Sequence, residues 1–175
     1  MNQPCLYILC GLPFVGKSTL ARQLAGALDA IYVEMDAING ERGLGLDGKR
    51  ISAADWDITY EETYRRIEQS LGTGAPVVYE AGNFTREQRD TVRAIAEKCG
   101  VPSQVIYVDV PENVARARLQ QNRKTLLRYD VRDDDFALVA DNFQPPTAEE
   151  NVLRYDQTVS VREWIRRNFS FACKE

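Results

Sequence analysis

The chain has 175 residues, 26 acidic side chains against 22 basic ones, a net charge of −4, four cysteines and no histidine. A chain of about 100–200 residues usually forms one core, so a single domain over 1–175 is expected. Without histidine this chain alone builds no Ser-His-Asp triad, no Cys-His pair and no His-ligated zinc or haem site. The acidic balance disfavours coating nucleic acid or an anionic membrane through bulk charge, and it leaves small anionic ligands open.

Cys5, Cys10, Cys99 and Cys173 show no C-x-x-C spacing. A reduced, cytoplasmic setting is therefore expected. The apolar run Cys5–Cys10 is too short to span a bilayer, and no membrane partner is expected.

In chain order, Cys5–Cys10 reads as a first strand, followed by a glycine-bearing turn and an amphipathic helix carrying Leu20, Leu24, Ala27 and Leu28. Ile31–Met35 is a second strand. Residues 39–50 hold four glycines among charges and predict a mobile loop. A helix from Ser52 to Leu71 places Trp56, Tyr60 and Tyr64 at helical spacing, a stripe that reads as core before it reads as a stacking platform. Pro76–Glu80 is the third strand, and Thr85 with Gln88 is a capping box opening the next helix. Gln104–Asp109 is the fourth strand, with Pro111 where a helix begins. Residues 123–135 pack charges of both signs and read as a lid. Gln144-Pro145-Pro146 is a break, Val152–Asp156 the fifth strand, and Ser160 with Glu163 a further helix start. Alternating strands and helices predict an α/β fold of three layers, a five-stranded parallel sheet flanked by helices, with a short Arg-bearing lid.

Gly11-Leu-Pro-Phe-Val-Gly16-Lys17-Ser18 matches G-x-x-x-x-G-K-[ST] between the first strand and its helix. With glycine near 7% of residues, such a match arises by chance in about one chain in a hundred of this length, and the strand and helix context makes it rarer. The chemistry explains the residues. Glycines let backbone N–H groups turn toward phosphates, and the helix N-terminus adds positive potential. Lys17 is placed to reach the β- and γ-phosphates, Ser18 to ligate Mg²⁺ and Thr19 to meet the α-phosphate, with Gly11, Phe14, Val15 and Gly16 completing the loop. ATP and Mg²⁺ are the expected cofactors. Neither the D-x-x-G switch nor the N-K-x-D base reader of a GTPase occurs, and the length leaves no room for a mechanical ATPase's helical subdomain. A compact kinase is the favoured class.

Further segments carry a family resemblance: Met35-Asp36, Val77-Val-Tyr-Glu80-Ala-Gly-Asn83-Phe-Thr-Arg86, Arg116-Ala-Arg118-Leu-Gln-Gln-Asn-Arg123 and Phe143-Gln-Pro-Pro146-Thr-Ala-Glu149-Glu150. With the phosphate loop they cover nearly the whole chain, which resembles the small P-loop kinases related to polynucleotide 5′-hydroxyl kinase, chloramphenicol phosphotransferase, gluconate kinase and the zeta-type toxins. The resemblance implies that Asp36 accepts the proton of the attacking hydroxyl. It implies that arginines at the end of the helix after Pro111 and in the lid, here Arg118, Arg123 and Arg128, meet the phosphates, and that Gln157 and Thr158 lie beside the adenine. The acid near the metal is Glu80 or Asp109. The resembled kinases usually carry Asp followed by a small residue and Thr-Asn where this chain has Glu80-Ala-Gly-Asn83, while Val105-Ile-Tyr-Val-Asp109 has the stronger look of a Walker B strand. Glu80 is favoured because Asn83 shares its end of the sheet. Asp36, Arg42, Glu80 and Asn83 are the expected acceptor-side residues.

The expected activity is transfer of the γ-phosphoryl group of ATP to a hydroxyl of a small-molecule or nucleotide-like acceptor. One alternative is a 5′-hydroxyl polynucleotide kinase, in which nucleic acid enters only as the 5′-end substrate. Another is a regulatory module that hydrolyses ATP slowly without an acceptor.

Overall fold

The computed structural model describes residues 3–45, 50–125 and 130–169. Five strands, β1 (Leu6–Cys10), β2 (Ile31–Glu34), β3 (Val77–Glu80), β4 (Ser103–Val108) and β5 (Val152–Tyr155), form one sheet in the order β2-β3-β1-β4-β5. Every pairing is parallel. Each expected strand lies within one residue of its observed limits, because strands covered on both faces read as continuous apolar runs. β3 is buried at all four positions.

Helices fill both faces. Side chains alternate across the sheet, so Leu9, Val78 and Ile106 meet α1 (Lys17–Leu28), α5 (Glu112–Thr125), α6 (Asp133–Asn142) and α7 (Val161–Asn168) on one side. Leu6, Ile8, Val77 and Tyr79 meet α2 (Met35–Glu41), α3 (Ala53–Gly72) and α4 (Arg86–Lys98) on the other. Trp56, Tyr60 and Tyr64 pack against this second layer with successive ring centroids 6.2 and 5.8 Å apart, consistent with the core reading of that stripe. The order reverses beside β1, and ligands of open parallel sheets bind at the carboxyl ends of the strands at such a point.

Two expectations need correction. The expected mobile loop begins inside a helix: α2 runs to Glu41 and includes Asn39 and Gly40. Burial of Met35 and Ile38, three residues apart on one helical face, overrides the poor helix propensity of Asn and Gly. Positive φ values of 73° at Gly43 and 75° at Gly45 then turn the chain, and residues 46–49 lie outside the described residues. The expected lid is partly helical as well. Arg123 belongs to the last turn of α5, and Asp133, Asp134 and Asp135 open α6, where acidic side chains suit the positive end of the helix. Residues 126–129, including Arg128, lie outside the described residues, as does Cys173. The expected capping box at Thr85 and Gln88 is complete in both directions, and Ser160 accepts from the Glu163 amide.

Candidate active site

β1 leads into the glycine loop, and two φ values explain its glycines. Gly11 has φ 143°, and a Cβ there would stand 2.7 Å from the Val108 carbonyl oxygen. Gly16 has φ 99° and ends the loop against α1. Phe14 also adopts a positive φ, 62°. Lys17 curls back over the loop and donates to the carbonyls of Gly11 and Leu12, each at 2.8 Å. Val15 turns its side chain into the core, while its carbonyl accepts from Arg118 and Gln157.

At the β3 end of the loop, the Ser18 hydroxyl donates to Glu80 Oε1 at 2.6 Å, and the Tyr32 hydroxyl donates to Glu80 Oε2. Glu80 is buried. Asp109, the alternative acid, is instead held by Arg154 at 2.5 Å and hydrogen-bonds Tyr107. Of the two acids, the structure brings Glu80 to the phosphate loop. Glu34, opposite Glu80 in the β2–β3 register, pairs with Arg22 at 3.4 Å. Asp36 sits exposed in the first turn of α2, two residues beyond the end of β2, because the helix starts at Met35.

At the other end of the loop, Arg118 on α5 donates to Gln157 Oε1 at 2.6 Å and to the Val15 carbonyl at 3.1 Å. Gln157, at φ 64°, donates to the same carbonyl at 2.6 Å. These residues border a cleft of about 740 Å³ lined by Phe14, Gly16, Thr19, Arg118, Gln157 and Thr158, all six expected from the sequence on the cofactor side. Its size suits a nucleotide-sized ligand. Asn122, Thr125 and Tyr155 line it too and carried no sequence signal.

The remaining expected residues are engaged elsewhere. Arg42 ties α2 to α3, donating to the Asp55 carbonyl at 2.6 Å, to the Asp55 carboxylate at 3.1 Å and to Thr59. Asn83, at φ 46°, is buried and donates to the Leu9 carbonyl at 2.7 Å, bracing the end of β1. Arg123 pairs with Asp130 and Asp133, each at 2.9 Å. Burial pushes the Cys10 thiol up to about 12, so this cysteine is an inert core residue.

Sequence reasoning missed a fully buried ion pair beneath the site. Arg89 of α4 meets Glu150 through two bonds, at 2.6 and 3.0 Å, with both side chains at 0% exposure. Arg89 also donates to the Asn83 carbonyl at 3.0 Å, and Glu150 accepts from the Thr147 amide at 3.0 Å. The signal was present: Arg89 shares a helix face with Val92 and Ala96, a position where an unpaired charge is untenable.

The family model AAA_33, described as an AAA domain, matches residues 6–146. The chain belongs to this family. It is a small P-loop kinase, and its relatives agree with that coarse class. Adenylyl-sulfate kinase of Myxococcus xanthus is 29% identical over 170 residues, spanning 89% of this chain and 85% of that protein. Shikimate kinase of Zymomonas mobilis is 28% identical over 144 residues, spanning 80% of this chain and 79% of its own. Among solved structures, the Mycobacterium tuberculosis APS kinase in complex with AMPPNP and APS shares the fold with a TM-score of 0.64 at 18% identity, over 95% of this chain and 96% of that one. Among the described residues, no helix is long and apolar enough to cross a membrane.

Proposed function

We propose that the protein transfers the γ-phosphoryl group of ATP to a hydroxyl of a small-molecule or nucleotide-like acceptor. The observation that carries this reading is the bond of 2.6 Å from Ser18 to Glu80 at the mouth of the glycine loop. Glu80 is a buried carboxylate that accepts from the Ser18 and Tyr32 hydroxyls beside the start of α1. An oxygen-only donor set of hydroxyl and carboxylate suits Mg²⁺, which binds few protein ligands and keeps several waters. Ser18 would hold the metal directly and Glu80 through water. When bound, the metal neutralises charge on the β- and γ-phosphate oxygens.

The chain's own residues account for the other requirements. Amides of the Gly11–Gly16 loop, Pro13 excepted, and of the start of α1 cradle the phosphates. Lys17 exchanges its two carbonyl contacts for phosphate oxygens. Arg118 and Gln157 fix the loop beside the base cleft. Asp36 accepts the acceptor's hydroxyl proton as the new P–O bond forms and the bond from the γ-phosphorus to the bridging oxygen breaks, with ADP leaving. A weak base is adequate because a loose transition state requires little early deprotonation. Arg123, with Arg128, would add positive charge on the phosphoryl oxygens. The free thiols Cys5, Cys10 and Cys99 suit a reduced compartment.

A test separates binding from transfer. Lys17→Ala is expected to abolish ATP turnover, and Asp36→Asn to keep nucleotide affinity while losing transfer. Full transfer in Asp36→Asn would remove Asp36 from the mechanism.

A further inference from the structure

We infer that Tyr32 is the positioning residue that holds Glu80 against Ser18 and so sets the affinity of the site for Mg²⁺. The inference rests on the metal reading of Ser18 and Glu80 above and adds a residue to it. On adjacent strands Tyr32 pairs with Val78 and Glu34 with Glu80, so Tyr32 is the diagonal neighbour of Glu80 on the same face. Long side chains reach across that diagonal.

The two carboxylate oxygens are divided between two donors: Ser18 takes Oε1 and Tyr32 takes Oε2. A carboxylate offers about four lone-pair sites, so two remain to receive the waters of a hydrated cation. Glutamate has a longer, freer side chain than aspartate, and a single bond to Ser18 leaves the second oxygen to swing. The Tyr32 ring is half-buried and rigid, and its hydroxyl stops that motion. The flanking charges leave the arrangement intact: Glu34 is occupied by Arg22, on the α1 side of the same strand end.

The experiment measures ADP affinity by calorimetry on the full chain, first in EDTA and then across a Mg²⁺ series, for wild type, Tyr32→Phe and Ser18→Ala. The phenylalanine keeps the ring and removes only the hydroxyl. Residues that orient a metal ligand change metal affinity about 10–100-fold. Tyr32→Phe is expected to leave ADP affinity in EDTA and the melting temperature near wild type, and to raise the Mg²⁺ concentration giving half the metal-dependent gain at least about tenfold. Ser18→Ala should shift or remove the same gain. If Ser18→Ala shifts it and Tyr32→Phe overlays wild type, Tyr32 does not position the acid and the inference fails while the metal reading stands. If Tyr32→Phe weakens ADP equally in EDTA, the hydroxyl supports the fold, and the inference fails again. If neither wild type nor Ser18→Ala shows metal dependence, the metal reading fails and takes the inference with it.

Discussion

Replacing Glu150 by glutamine leaves the Arg89 guanidinium in place with its charge, its neutral carbonyl partners and no carboxylate. Both side chains are at 0% exposure, so water cannot substitute for the lost oxygen. Removing one partner of a buried ion pair costs about 3–5 kcal/mol. A domain of this size loses roughly 2–4 °C of melting temperature per kcal/mol. The expected fall is therefore about 6–20 °C by calorimetry or circular dichroism. A second variant isolates the cause: Arg89→Met with Glu150→Leu removes both charges and keeps apolar volume, and should be less destabilised than Glu150→Gln alone. The pH profile supplies a third reading. Burial raises the Glu150 carboxyl, but the hydrogen bond from Arg89, the Thr147 amide and the charge of Arg89 outweigh it, so its pKa lies below the ordinary value. A depressed carboxylate stabilises fully above its unfolded pKa and loses that stabilisation as pH falls through the folded one, so the gap between wild type and variant should close below about pH 4. A loss under about 1 kcal/mol, the size expected of an exposed pair, would refute the reasoning.

Two glycines should respond in opposite directions to alanine. Gly11→Ala places a Cβ 2.7 Å from the Val108 carbonyl at φ 143°; strained backbone alone costs about 1–3 kcal/mol, and nucleotide affinity should fall with stability. Gly26, inside α1 with nothing within 4 Å of an added Cβ, should gain about 0.5–1 kcal/mol when changed to alanine. Thr85→Ala removes the acceptor of the Gln88 amide at the start of α4 and should cost about 1 kcal/mol, read as a melting shift with nucleotide affinity unchanged.

What was legible in the sequence was local. The central strands announced themselves because β1 and β3 are covered on both faces, and the phosphate loop because backbone geometry demands Gly11 and Gly16 where they stand. Arg118 and Gln157 were singled out only through the resemblance, since they lie far apart in the chain and meet each other and the Val15 carbonyl only in the fold. The rest depends on tertiary contacts. Nothing around Asn39 and Gly40 favours helix, and it is burial of Met35 and Ile38 that makes α2. The choice between Glu80 and Asp109 was open because each ends an apolar strand. The sheet order decides their surroundings: β3 is covered by β2 and brings Tyr32 to Glu80, whereas β4 meets β5 and brings Arg154 to Asp109. The helix face of Arg89 marks it as buried, but nothing local names its partner, which is 61 residues away.

The most direct test of phosphoryl transfer is a screen of hydroxyl-bearing metabolites, with a 5′-hydroxyl oligonucleotide included, that reads ADP release and the mass of the phosphorylated product together. At least one compound is expected to stimulate ADP release, gain one phosphoryl group and lose both effects with Asp36→Asn. ATP consumption that is indifferent to every added compound, yields only free phosphate and persists in Asp36→Asn would contradict it.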